Sequence, residues 1–251
     1  MFTALRKVCC KEDYMSESKF YTAAIVGALP VEIAYLSKYL AEQPDWRSVS
    51  ENEYVNEPLK IRLVVWVIGA GKVNAAFGTA DLISAFKPDI IINVGIAGGF
   101  VKGARRGDVA IGKSYAQVDH KPYFKDHLPV LNDAPAELVR NAILAASELG
   151  ISATSGVIAT GDFFLHDSKQ KEAIAAEFNP VAFDMESAAI CQVASAKGIG
   201  FMSIRTFSDF ADDDAGNIAT TTHNEIIQKT VTIEHTPVII AVEAIKKTRA
   251  A

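Results

Sequence analysis

The sequence predicts a single α/β domain built around a largely buried sheet. Three observations carry this. Apolar runs too continuous for half-exposed strands recur along the chain, at Ala23–Val26, Ile61–Ile68, Ile90–Val94 and Phe201–Phe207. Segments with apolar residues at helical spacing lie between them, so strands and helices alternate almost throughout. The ends of the strands then carry the unusual residues: Glu32, the glycines at 95, 98 and 99, Asp162, Glu186 and Asp209. In α/β folds, ligands gather at the carboxyl ends of the strands.

In chain order, Tyr21–Gly27 reads as a buried strand, and Pro30 suits the first turn of a helix that runs to about Leu40. The polar residues 43–58 form a loop or an edge hairpin. Ile61–Ile68 is the next strand, followed by Gly69-Ala70-Gly71 and a helix to about Phe86 that Lys87-Pro88 stops. Asp89–Val94 is a strongly apolar strand ending in a turn at Gly95–Gly99. Val109–Gly112 is a short strand, and residues 117–133 are loop-like. Ala136–Leu149 is a helix stopped by Gly150. Ser155–Asp162 is a strand and turn, and Lys169–Phe178 a helix closed by Asn179-Pro180. Phe183–Ser187 leads from a strand into an alanine-rich helix. Its two acids sit among apolar neighbours, where an acid either caps the helix or binds something. The last strand, Phe201–Phe207, ends at Ser208-Asp209, and the tail from about Thr221 to Lys247 is mainly helical, interrupted near Pro237.

Composition narrows the classes of function. A chain of 251 residues with 49% hydrophobic content can bury a full core. A net charge of −5 gives no footprint for nucleic acid. Cys9, Cys10 and Cys191 form neither a disulfide framework nor a zinc spacing, and the five histidines show no paired spacing, so no metal is expected. This suits a reducing, cytoplasmic setting. No apolar run reaches the roughly 18 residues of a membrane helix. Residues 1–18 are expected to be a disordered extension with Met15 as an alternative start, and residues 19–251 the domain. Cys9-Cys10 as a lipid site is the lesser reading. Gly69-Ala70-Gly71 is only half of a dinucleotide fingerprint, and Gly71-Lys72 lacks the spacing of a P-loop. Asp212-Asp213-Asp214 has no glutamate to close a calcium loop. With no G-x-S-x-G elbow either, no cofactor and no serine hydrolase are expected.

Four blocks carry a resemblance: Ala24–Glu32; Gly69–Ala76 with Lys87–Gly99; Thr160–Phe164; and Phe183–Glu186 with Arg205–Asp209. In this order they resemble the nucleoside phosphorylase/nucleosidase superfamily, and most of all its hydrolytic branch, the methylthioadenosine/S-adenosylhomocysteine nucleosidases. The resemblance implies a three-layer domain with a central mixed sheet flanked by helices. It also implies cleavage of a purine–ribose bond through an oxocarbenium-like sugar. By resemblance, Asp209 protonates the imidazole-ring nitrogen of the leaving purine and Glu32 orients and deprotonates the attacking water. Glu186 grips the ribose hydroxyls with help from the Met185 backbone. Phe164 stacks on the base, backbone groups of Phe164 and Leu165 hold the adenine edge, and Ile96, Ala97, Gly98 and Ser208 complete the substrate site. Related hexameric phosphorylases bind phosphate through arginines where this chain has Glu32 and Asn93-Val94, so hydrolysis is expected. The alternatives are a phosphate-dependent purine nucleoside phosphorylase, a nucleosidase for a 5′-modified nucleoside such as a futalosine, and a fold kept for binding. Family members are homodimers, which places the loop 117–129 near the partner's site. The chain departs from the family at Ile96, where a serine is usual, and at Asp184, where a glutamate is usual. It also lacks the aromatic loop and the lid phenylalanine over the substrate's sulfur tail.

Overall fold

A strand that carries Ile, Val and Ala on both faces is stable only between two covering layers. The computed structural model shows this arrangement. It describes residues 20–120, 134–229 and 232–250, so the expected extension 1–18 and residues 121–133 of the expected loop lie outside the described residues. Strands β1 (Tyr21–Gly27), β4 (Ile61–Val67), β5 (Ile90–Gly99) and β9 (Gly200–Asp209) run parallel in the order β4-β1-β5-β9. On the outer side of β4, β3 (Glu53–Asn56) and β2 (Trp46–Ser50) add an antiparallel hairpin, which settles the 43–58 segment.

The other half of the sheet curls. The strand β6 (Val109–Gln117) pairs antiparallel with β9 and parallel with β7 (Ala153–Thr160). Next to β7 lies the parallel β8 (Pro180–Asp184), which returns to β5 through Gly98↔Phe183 and Gly99↔Ala182. Five strands, β5-β9-β6-β7-β8, therefore close on themselves. The helices α2 (Tyr35–Ala41), α4 (Ala136–Glu148) and α8 (His235–Ala250) pack on one face. The opposite face is covered by α3 (Lys72–Phe86) and α6 (Ser187–Ala196). Three further helices, α1 (Pro30–Ile33), α5 (Ser168–Phe178) and α7 (Ala215–Ile227), lie near the strand ends.

Several expectations are corrected. Gly95–Gly99 is not a turn but the continuation of β5. A Cβ on Gly95 would lie 2.1 Å from Glu32 Oε1 and 2.4 Å from an Arg205 guanidinium nitrogen. The glycine is thus what lets the strand pass beside the charged site. β6 runs on to Gln117, beyond a register shift between Gly112 and Ser114 that interrupts the apolar pattern. The first helix is broken at Ala34 into α1 and α2. In the tail, α7 already starts at Ala215, and the break falls before His235. Pro237 lies inside the first turn of α8, where its missing N–H has no helical partner to lose. No described helix is long and apolar enough to cross a membrane.

Candidate active site

Four strand ends converge on one cavity of about 270 Å³. At the end of β1, Pro30 starts a single turn that swings Glu32 back towards the sheet. Its carboxylate accepts from the Leu29 N–H (2.9 Å) and from the Ile96 N–H (3.2 Å), and the residue is only 6% exposed. At the end of β8, Asp184 organises the turn into α6. It accepts from the Thr160 hydroxyl (2.7 Å) and the Ser187 N–H (3.2 Å), and from the Ser187 hydroxyl. This turn delivers Met185 and Glu186 to the cavity. One Glu186 oxygen accepts from the Gly71 N–H at 3.0 Å. At the end of β9, Asp209 accepts from the Ser208 hydroxyl (2.7 Å) and the Ala211 N–H (2.9 Å). After β7, Phe163 packs against Phe183 (ring centroids 5.0 Å apart), while Phe164 is half-exposed at the cavity and Leu165 is buried.

All ten residues expected at the site line this one cavity: Asp209, Glu32, Glu186, Met185, Phe164, Leu165, Ile96, Ala97, Gly98 and Ser208. Behind them lies a residue to which the sequence reading gave no role. Arg205, in the middle of β9, is fully buried. Its guanidinium donates to Asp184 (2.9 and 2.7 Å) and to Glu186 (3.1 Å), and one nitrogen lies 3.8 Å from Glu32 Oε1. The signal was there: an arginine inside the apolar run Phe201–Phe207 must find buried acids, because an isolated charge cannot be taken from water. A planar fork of donors suits several carboxylates at once.

Three carboxylates around one cation leave the cluster short of positive charge. Burial pushes Glu32 above the usual carboxylate range, opposed by Arg205 and the Leu29 and Ile96 amides. Glu186 is pushed up to about 7, by burial first and then by Asp184 and Glu32, against the pull of Arg205 and the Gly71 amide. Burial works against the Arg205 charge, yet its three acids hold it more firmly protonated than a free arginine. On the other side, burial raises Asp209, against the Ser208 hydroxyl and the Ala211 amide. The cavity thus pairs a carboxyl inclined to keep its proton with a carboxylate cluster anchored on one arginine. This is the arrangement that acid–base cleavage of a glycosidic bond requires. Among the described residues, no group of three or more His, Cys, Asp or Glu side chains is placed to hold a metal ion.

The same pattern of elements occurs in known proteins. Residues 22–246 match the phosphorylase superfamily. The chain is 36% identical over 200 residues to a 5′-methylthioadenosine/S-adenosylhomocysteine nucleosidase of an Exiguobacterium species, covering 76% of this chain and 86% of that protein. It superimposes on the Neisseria meningitidis 5′-methylthioadenosine/S-adenosylhomocysteine nucleosidase in complex with methylthio-immucillin-A. That match has a TM-score of 0.76 at 32% identity over 91% of this chain and all of that one. The futalosine hydrolase of Helicobacter pylori superimposes with a TM-score of 0.75 over 90% of this chain and 97% of that one, at 24% identity, a likeness of fold alone. The chain belongs to the phosphorylase superfamily.

Proposed function

We propose that the chain hydrolyses the N-glycosidic bond of an adenine nucleoside of the 5′-methylthioadenosine or S-adenosylhomocysteine type, releasing adenine and the ribosyl moiety. The relatives named above support this, since the most similar of them carry that activity in their names. The observation that carries hydrolysis over phosphorolysis is the charge of the cavity. Among the described lining residues there is no lysine or arginine. Arg205, behind the wall, is already taken up by Asp184 and Glu186 with Glu32 close by. A phosphate dianion would meet carboxylates with no free cation to hold it, whereas a water finds an acceptor in Glu32.

In this reading, Asp209 gives its proton to the imidazole-ring nitrogen of the purine as the C1′–N bond breaks, and the bonding electrons leave with the base. Glu186 and the Met185 backbone hold the ribose hydroxyls. Glu32 takes a proton from the water that adds to C1′. Phe164 stacks on the adenine, whose edge meets the backbone of Phe164 and Leu165, while Ile96, Ala97, Gly98 and Ser208 complete the wall. Removing a general acid costs about 10²–10⁴-fold. Asp209→Asn is therefore expected to lower adenine release from methylthioadenosine by at least about a hundredfold, with wild-type release independent of phosphate. The wild-type rate should fall as pH rises through the raised pKa of Asp209. Release that needs phosphate would replace this reading by the phosphorylase one. Running adenosine, methylthioadenosine and S-adenosylhomocysteine in parallel ranks the 5′ substituent.

Two further parts of this reading concern setting. The chain works as a homodimer, supported by α3, whose Val73 (79%) and Phe77 (69%) are exposed. Val73 also lines an open depression between α3 and α6, together with Ala76, Ala189 and Val193. Its place is the cytoplasm, in keeping with cysteines that make no disulfide framework.

A further inference from the structure

A second set of charged groups, outside the cavity, closes a ring of its own. Lys72 opens α3, Asp119 lies just beyond β6, and Asp162 just beyond β7. The Lys72 backbone N–H donates to Asp162 Oδ1 at 2.7 Å, and the Asp162 N–H donates to Asp119 Oδ2 at 2.8 Å. The Lys72 ammonium closes the circuit on Asp119 Oδ1 at 2.7 Å, with a further bond to Gln117 Oε1 at 3.2 Å. The Lys72 and Asp119 side chains are 18% and 24% exposed, so the pair is shielded more than an ordinary surface ion pair. Burial works against the Asp119 charge, but the Asp162 amide and the Lys72 ammonium together hold the carboxyl below its usual range.

The ring matters because of what stands beside it. Helix α3 has no capping side chain of its own, since its N-cap is Gly71 at φ 84°. Its leading N–H groups would otherwise be unsatisfied. Two acids from distant strand ends replace the cap: the Gly71 N–H goes to Glu186 Oε1 (3.0 Å) and the Lys72 N–H to Asp162 Oδ1 (2.7 Å). These amides belong to successive residues, so fixing the direction of one constrains the other. A glycine in the left-handed region has little of its own to hold it there. Asp162, braced through Asp119 and the Lys72 ammonium, supplies the restraint.

We propose that Lys72, Asp119 and Asp162 are positioning residues for Glu186: their ring pins the Gly69–Lys72 loop so that the Gly71 amide fixes the carboxylate that grips the ribose hydroxyls. The proposal rests on the reading above in which Glu186 is that group. One Glu186 oxygen is held by Gly71 and the other by Arg205, so the plane of the carboxylate is set from both ends. The same loop places Ala70 in the cavity wall.

The test is a comparison of substrates. kcat and KM are measured for methylthioadenosine and for its analogue lacking both ribose hydroxyls, with the wild type, Lys72→Met, Lys72→Arg and Asp119→Asn, alongside the thermal midpoint of each. Lys72→Met and Asp119→Asn are expected to lower kcat/KM about tenfold on the ribose substrate and less than twofold on the analogue, a coupling of the size found between groups in one network. Lys72→Arg, which keeps a cation, recovers most of the loss. Equal losses on both substrates, or none on the ribose substrate, overturn the proposal even with an active wild type. A wild type that releases no adenine from the ribose substrate overturns the functional reading instead, and this proposal with it. If Lys72→Met does not fold, Asp119→Asn, which breaks the ring from the other side, decides.

Discussion

Replacing Arg205 by methionine, which keeps an unbranched chain but ends short of the guanidinium, removes the only cation that Asp184, Glu186 and Glu32 share among their described contacts. Arg205 gives Asp184 two contacts of 2.9 and 2.7 Å, gives Glu186 one of 3.1 Å, and stands 3.8 Å from Glu32. Breaking a buried ion pair by removing one partner costs about 3–5 kcal/mol, because the other charge is left uncompensated. For a domain of this size, 1 kcal/mol shifts the thermal midpoint by about 2–4 °C, so the loss at pH 8 is about 10 °C. The sign of the pH dependence follows from linkage. Without the cation, the folded-state pKa values of Glu32 and Glu186, both already raised, rise further above their unfolded values. The folded protein then binds protons that the unfolded chain does not, and stability present at low pH is lost as pH rises. Thermal unfolding of wild type and Arg205→Met at pH 5 and pH 8 should therefore show a deficit that is large at pH 8 and much smaller at pH 5. An equal deficit at both pH values would mean that Arg205 supports the fold by packing rather than by charge, and would refute this account of the cluster.

Glu186→Gln tests the same cluster from the opposite side. With the Glu186 pKa raised to about 7, its contribution to stability is complete below the ordinary carboxylate range and is lost as pH rises through about 7. The glutamine variant should therefore match the wild type near pH 5 and melt higher at pH 8 while losing adenine release; a lower midpoint at pH 8 would contradict it. The dimer is tested by sedimentation velocity. Phe77→Asp, placing a charge on the exposed face of α3, is expected to convert a two-chain species into single chains, and a wild type already running as single chains would exclude the pairing.

Much of the architecture was legible because the relevant signals are local. Continuous apolar strands such as Ile90–Val94 can only be buried, and Lys87-Pro88 and Asn179-Pro180 stop helices for steric reasons. Both stops show left-handed backbone, at Lys87 (φ 48°) and Asn179 (φ 44°). What escaped was set by contacts distant in sequence. Gly95–Gly99 looks like a turn until Glu32 and Arg205 are seen to press against Gly95, and Ala211 against Gly98. The extension of β6 past Lys113 depends on its partner β7, which no periodicity in residues 113–117 reveals. The site was visible as acids at strand ends. Its organising cation was hidden, since an arginine in a strand shows its meaning only when Asp184, twenty-one residues earlier, arrives beside it.

The closure of β5-β9-β6-β7-β8 has a consequence beyond the cavity. An open sheet of nine strands has two exposed edges, each a template for pairing with another chain. Here the ring removes one of them, because β9 and β8 are each paired on both sides. Among the described strands, the remaining edge is β2, five residues long, with Arg47 to Ser50 exposed and an irregular register between Ser48 and Ser50. A short, bulged, charged edge is a poor nucleus for strand addition. The curl that gathers the acids of the cavity thus also protects the chain from growing into fibres, and leaves helical faces as the ground on which copies can meet.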